Sequence, residues 1–429
     1  YLFSILQKYN DAESTIDINE DCAKAAKRCL KMLRRIIKKE PKVKKPEQPQ
    51  KISYMQQKKL EEKQFVINRE LTQVVTFRKK CYICHANTPI SHEFYNSMCI
   101  ECGNFNFEMR NRMKDLTGST AIVTGGRIKI GYEIALWLLR NNCTVIVTTR
   151  FPADALLRFQ KEKDYSNFKD RLFLYGLDFK DLKKVYQFVD YIYDNFKEIN
   201  ILINNAAQTL YRSDDYNKQL MQDEETALKA IQAEGEKAKI DIETCIIHKN
   251  ENLSTNDVTI FKNYTVYDVN HIPVDFSSKN SWTKEIEEIG FIEFAEAQVI
   301  NSWVPFILRS RLKTIMTVPN KNSYIVNVSA MEGKFDYFGK SSKHPHTNMT
   351  KAALNMLTRT CGESFAKVNI FMTSVDTGWC SEMNPHLMYS NKRTVPLDEF
   401  DGVMRVLHPI FDELKIHSVL LKNYKVTTW

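Results

Sequence analysis

Four cysteines offer the most specific chemistry in this chain. Cys81 and Cys84 form one CxxC pair, Cys99 and Cys102 a second, and 14 residues separate the pairs. Each pair sets two thiolates on one backbone knuckle, and two knuckles close a tetrahedral sulfur site of the kind that zinc takes. Four sulfur ligands leave no open coordination position, so the expected role of the metal is structural. A redox dithiol is the alternative, and a single pair would favour it more. His85 and His92 fall inside the segment and are expected as surface residues rather than further ligands. The other cysteines of the ten are scattered, which points to a reducing compartment.

The chain that must position these residues has 429 residues, 43% hydrophobic and 26% charged, with room for two or three domains. No apolar run is long enough to span a bilayer, which predicts a soluble, cytoplasmic protein. The first residue is Tyr1 and not methionine, so a removed targeting peptide, and with it the mitochondrial matrix, stays open. The net charge of +9 is concentrated: Lys24 to Lys80 hold nineteen Lys/Arg against five Glu, a local balance of +14.

Residues 1–77 read as a basic helical extension, broken at 38–51 by a linker of lysines and prolines. Such an arm can dock on a larger protein assembly; nucleic acid is an alternative partner that this reading does not adopt. Residues 78–110 hold the cysteine module. From Asp115 the pattern changes. "GSTAIVTGG" (118–126), "CTVIVTTR" (143–150), "RLFLYGLDF" (171–179), "INILINNAA" (199–207) and "SYIVNVSAM" (323–331) are apolar strands, with amphipathic helices between them such as "IGYEIALWLLRNN" (130–142). The expected fold class is therefore α/β: a Rossmann-type doubly wound parallel sheet over 115–429, preceded by a small zinc-binding module and the basic extension. A polar insertion at about 212–290 follows the "NNAA" strand, at the sheet edge where ligands bind. It is expected to narrow the site or to present a partner surface.

From about Leu116 to Leu407 the chain resembles the short-chain dehydrogenase/reductases, with several motifs in family order. "TGGRIKIG" (124–131) is similar to the family pattern T-G-x-x-x-G-x-G: Thr124, Gly125 and Gly131 match, and Lys129 replaces the middle glycine. The resemblance implies a nicotinamide dinucleotide on this loop. Arg150 ends the second strand where members that prefer NAD(H) carry an acid; with Arg127 it implies NADP(H), two guanidinium groups being suited to a 2′-phosphate. Asp178 matches the adenine-contacting aspartate, and Asn204 and Ala206 belong to the strand end beside the cofactor. Asn301 matches the asparagine that supports a proton-relay water, Ser329 the substrate-orienting serine, and Lys351 the family lysine. More closely, "TRFP", "NNAAQT", "HPHTNMTKAALNM" and "SVDTGW" resemble an atypical branch in which a four-cysteine zinc module precedes this fold.

One catalytic position departs from the family. Thr347 stands four residues before Lys351, where the family places its tyrosine acid. A threonine hydroxyl is too weak an acid by many units to take over the role. His346, which titrates in a useful range, and Tyr337, in the long loop after Ser329, are the candidate replacements. The resemblance thus implies an NADP(H)-binding oxidoreductase with displaced or lost acid/base machinery. The alternative is a catalytically inactive subunit of the same fold, a scaffold in a larger assembly.

Overall fold

The computed structural model describes residues 76–212, 214–233, 267, 268, 270, 272–274, 276–337, 339–381, 383–385 and 395–429. The basic extension, apart from its last two residues, and the middle of the insertion lie outside the described residues.

Strands β1 (Thr76–Lys80) and β2 (Asn87–Ile90) pair antiparallel, and helix α1 (Ile100–Arg110) follows with Cys99 as its N-cap. The sheet domain alternates strand and helix: β3 (Thr120–Thr124), α2 (Lys129–Arg140), β4 (Thr144–Thr149), α3 (Pro152–Gln160), β5 (Leu172–Gly176), α4 (Leu182–Asn195) and β6 (Ile201–Asn204). Helix α5 (Asp214–Ala233) belongs to the insertion. Then come α6 (Phe291–Gln298), a π-helical turn (Val299–Trp303), α7 (Val304–Met316), β7 (Ser323–Ser329), α8 (Pro345–Ala366), β8 (Ile370–Asp376), α9 (Glu399–Phe411), β9 (Val419–Lys422) and β10 (Lys425–Thr427). Among the described residues, strands β3 to β10 form one large sheet in the order β10-β9-β8-β7-β6-β3-β4-β5, and within it only β10 runs antiparallel to its neighbour. The chain winds outward from β3 to β5 and then returns to the other side of β3 with β6. The switch point therefore lies between β3 and β6, where a doubly wound sheet leaves a crevice.

Period-two patterning puts both faces of these strands in apolar contact, as a parallel sheet requires. Ala121, Val123, Val145 and Val147 face one core with Ile134, Leu138, Val403 and Leu407 of α2 and α9. Ile122, Ile146 and Leu202 face the other, with Val185 and Phe188 of α4 and Leu308 and Leu312 of α7.

The cysteine segment, read from sequence as a separate module, packs on α9. Arg110 lies 2.8 Å from Asp398 and 3.3 Å from Asp401, and Arg405 donates to Asn106 Oδ1 at 2.6 Å. Cys81, Tyr95 and Met98 share a small core with Cys380 and Leu397. The described part of the insertion also has a definite place. Tyr216 and Leu220 of α5 pack with Phe151 and Ile272, while the Glu224 carboxylate accepts from the N–H groups of Ala153 (2.7 Å) and Asp154 (2.8 Å). Those N–H groups open α3 and have no partner within the helix, so α5 supplies its N-terminal cap in trans. No helix among the described residues is long and apolar enough to cross a membrane.

Candidate functional site

A cavity of about 810 Å³ opens at the C-terminal ends of β3, β4, β6, β7 and β8, over the switch point. Its end at the β3–α2 turn is shaped by backbone. Gly125 has φ +70, a left-handed conformation that favours glycine, and a Cβ there would stand 2.9 Å from Ala206 Cα. A Cβ on Gly131 would meet the Gly125 carbonyl oxygen at 2.2 Å and Asn205 Nδ2 at 2.3 Å. The two glycines thus let the β3–α2 turn lie flat against the end of β6. Lys129, at the middle glycine position, keeps the left-handed φ of +53 and sends its side chain to the cavity wall. Such a conformation costs an ordinary residue roughly 1–2 kcal/mol.

Arg150 and Asp178 both line this end. Arg150 is exposed, with its guanidinium 5.2 Å from the centre of the Phe151 ring. Arg127 also borders the cavity, but it is buried, bonded to Asp154 at 2.6 Å and laid over the same ring at 4.9 Å. The two arginines are therefore not equivalent: one is exposed and the other is held in an ion pair. Thr124 and Asn204 do not reach the cavity. Thr124 Oγ1 accepts from the N–H groups of Asn205 and Ala206, each at 3.0 Å, and Asn204 Nδ2 donates to Asn327 Oδ1 at 2.8 Å inside the sheet. They hold the strand ends together, and the neighbouring Asn205 and Ala206 form the surface.

The other end, where the resemblance places the reaction, gathers Asn301, Ser329, Thr347 and Lys351. Asn301 sits in the π-helical turn, a distortion common at functional sites. Its amide accepts from the Gln208 N–H at 2.7 Å and donates to Gln208 O and Thr350 Oγ1, both at 3.2 Å. Ser329 Oγ donates to Asn355 Oδ1 at 2.6 Å. Lys351 Nζ donates to the Val328 carbonyl at 2.7 Å. Desolvation, only partly offset by Glu332, brings the Lys351 ammonium down to about 8.

The two candidate acids from sequence lie elsewhere. Neither Tyr337 nor His346 lines the cavity. Tyr337 stacks under Lys340 at 5.1 Å, and buried His346 places Nε2 3.7 Å from Glu293 Oε1. Burial pulls the His346 imidazole below its ordinary range. Thr347 Oγ1 donates to the His344 carbonyl at 2.8 Å, within the first turn of α8. His344 itself stacks on Trp282, whose ring borders the cavity, with centroids 4.0 Å apart.

Sequence reasoning missed several residues of the wall. Asp376, Glu332 and Lys422 border the reaction end, and Tyr82 reaches it from between Cys81 and Cys84. The Tyr82 hydroxyl oxygen accepts from the Trp379 N–H at 2.8 Å, and burial raises this phenol to about 12. Asp376 and Lys422 end adjacent strands, a signal that "SVDTGW" alone does not carry. At the knuckles, one ligand atom from each of Cys81, Cys84, Cys99 and Cys102 lies within 4.8 Å of the others. Zinc–sulfur bonds of about 2.3 Å in a tetrahedron set sulfurs roughly 3.8 Å apart, which this cluster fits.

Comparison with known proteins adds family to geometry. The model of the family described as short chain dehydrogenase matches residues 119–234. An uncharacterized protein of Acanthamoeba polyphaga mimivirus, R665, is 33% identical over 385 residues, which span 85% of this chain and 77% of that one. A (+)-neomenthol dehydrogenase of Capsicum annuum is 36% identical over 98 residues, 22% of this chain and 31% of that one. Among solved structures, an NADPH-bound carbonyl reductase from chicken fatty liver is 17% identical, with a TM-score of 0.49, and covers 75% of this chain and 98% of its own.

Proposed function

We propose, from the premise that this chain belongs to the short-chain dehydrogenase/reductase family, that it binds NADP(H) and interconverts a carbonyl and an alcohol. The observation that carries the reading is the glycine cradle. Gly125 and Gly131 let the β3–α2 turn close on the end of β6 where any Cβ would clash, and this sets the turn at the N-terminal end of α2 and over the switch point of the sheet. A pyrophosphate suits that place, since helix N-terminal N–H groups and the helix dipole both favour an anion.

In this reading Arg150 pairs with the 2′-phosphate, while Arg127 fixes the wall behind it through Asp154. Asp178 faces the adenine, and Lys351 holds the nicotinamide ribose. Ser329 orients the substrate oxygen, and Asn301 supports a proton-relay water. Bound NADPH supplies the hydride. Thr347 has no part in proton transfer, because its hydroxyl is already donated within α8. The four cysteines hold a structural zinc that stiffens the knuckle carrying Tyr82.

One preparation tests both cofactors. The purified protein is titrated with NADPH and NADH, following dihydronicotinamide fluorescence, and is assayed for metal beside Cys84→Ser. Saturable binding that favours NADPH, with about one zinc per chain that the variant loses, supports the reading. No binding of either nucleotide removes it, and wild-type protein without zinc removes the metal assignment.

A further inference from the structure

We infer that Asp376 is the proton donor of this site, the group that takes the place of the absent tyrosine. The inference rests on the oxidoreductase reading above and names its missing acid. Asp376 ends β8 directly beside Ser329 at the end of β7, the two being register partners across the parallel pair. Register partners in a parallel pair point to the same face, about 5 Å apart. Both residues line the cavity. Asp376 is only 4% exposed, and its two oxygens differ. Oδ1 accepts from the Gly378 N–H at 2.9 Å, whereas Oδ2 has no hydrogen-bond partner among the described residues and lies 3.8 Å from Lys422 Nζ. A buried carboxyl oxygen without a partner, at the wall of a cavity and next to the substrate-orienting serine, is placed to hold a proton for a substrate.

The surroundings suit an acid. Burial raises the Asp376 carboxyl above its ordinary range, against the Gly378 N–H and the pull of Lys422 on β9, Arg405 on α9 and Lys334 after β7. Glu332, beyond β7, and Tyr82, on the cysteine knuckle, also face it. A general acid is most effective when its pKa approaches the working pH. In reduction, the carbonyl carbon takes the hydride that NADPH supplies and the carbonyl oxygen takes the Asp376 proton. The substrate becomes an alcohol, the dinucleotide is oxidised, and the carboxylate recovers its proton from water.

Asp376→Asn is the test, because an amide keeps the acceptor for Gly378 and removes the titrating proton. The Asp376 carboxyl carbon is followed by NMR in the ¹³C-labelled full chain, and assigned by its loss in the variant. It should titrate above the ordinary aspartate range and shift when NADP⁺ is added. Turnover is measured with NADPH and 4-nitrobenzaldehyde. The wild-type rate should fall as pH rises through the same pKa, because the protonated form is the active one. The variant should lose at least about a hundredfold in rate, together with that pH dependence, while NADPH affinity stays within about twofold. An ordinary aspartate titration, or one indifferent to NADP⁺, overturns the inference whether or not this aldehyde is turned over. A variant that keeps its rate or its pH dependence overturns it also. Absence of NADPH binding in the wild type would instead strike the oxidoreductase reading, which makes the two failures distinct.

Discussion

At the dinucleotide end of the cavity, Gly125, Gly131 and Ala206 meet through backbone and Cβ positions, and Asn205 Nδ2 donates to the Gly125 carbonyl oxygen at 3.2 Å. At the reaction end, Asn301, Ser329 and Lys351 are each held by a side-chain hydrogen bond to a residue from a different part of the chain, and Asp376 by the Gly378 N–H two residues on. The first end depends on the absence of atoms, and the second on the placement of protons. A substitution at the first should act through space, and one at the second through chemistry. The same division accounts for which family features survive here. The glycines whose Cβ would strike protein atoms are retained, while Lys129 lines the cavity at the middle position.

Gly131→Ala sharpens the comparison most. Its methyl would sit 2.2 Å from the Gly125 carbonyl oxygen, so the loop or the end of β6 must move. Forcing one carbon into a packed site costs about 1–3 kcal/mol, and here the cost falls on the cradle. NADPH affinity should drop by about a hundredfold, read by fluorescence titration, with NADH affected equally. Unchanged affinity would break the claim that this end works by exclusion of atoms.

Arg150→Asp separates charge from space at the same end. The exposed guanidinium is replaced by a like charge to the 2′-phosphate, which leaves the cradle intact. Loss of a charge-assisted pair is worth about 1.5–3 kcal/mol, so the NADPH/NADH affinity ratio should fall by roughly ten- to a hundredfold. NADH binding itself should change little. A ratio that does not move would show that Arg150 does not set the preference.

The two ends also differed in how far they could be read from sequence. The glycine loop is local: Thr124 to Gly131 are consecutive, and the strand before and the helix after them follow from periodicity. Even there, the side-chain roles of Thr124 and Asn204 were misplaced by one layer, because a motif gives position along the strand but not which face meets the cavity. The reaction end depends on pairing between remote segments. Asp376 becomes a neighbour of Ser329 only through the β7–β8 register, and Tyr82 meets Trp379 across 297 positions of chain. The proximity of His346 to Thr347 in sequence was misleading for the same reason. On a helix, adjacent side chains point in different directions, and His346 turns toward Glu293 in the interior.

Thr347→Val should have the smallest effect, and it tests whether the old tyrosine position still has chemistry. In wild type the Thr347 hydroxyl donates to the His344 carbonyl, and His344 occupies a left-handed φ of +42 just before α8. Its work is to hold the start of this helix, and with it the His344 ring stacked on Trp282 at the cavity wall. Valine keeps the shape and removes that hydrogen bond, for a cost of about 1 kcal/mol. Denaturant unfolding should register this loss, while the pH dependence of turnover stays that of the wild type. If the pH dependence moved instead, Thr347 would belong to the proton path, and the division between a spatial end and a chemical end would need a second donor beside Asp376. A mere loss of stability leaves the threonine as what its hydrogen bond makes it, a tie within the first turn of a helix that still delivers Lys351 to the site.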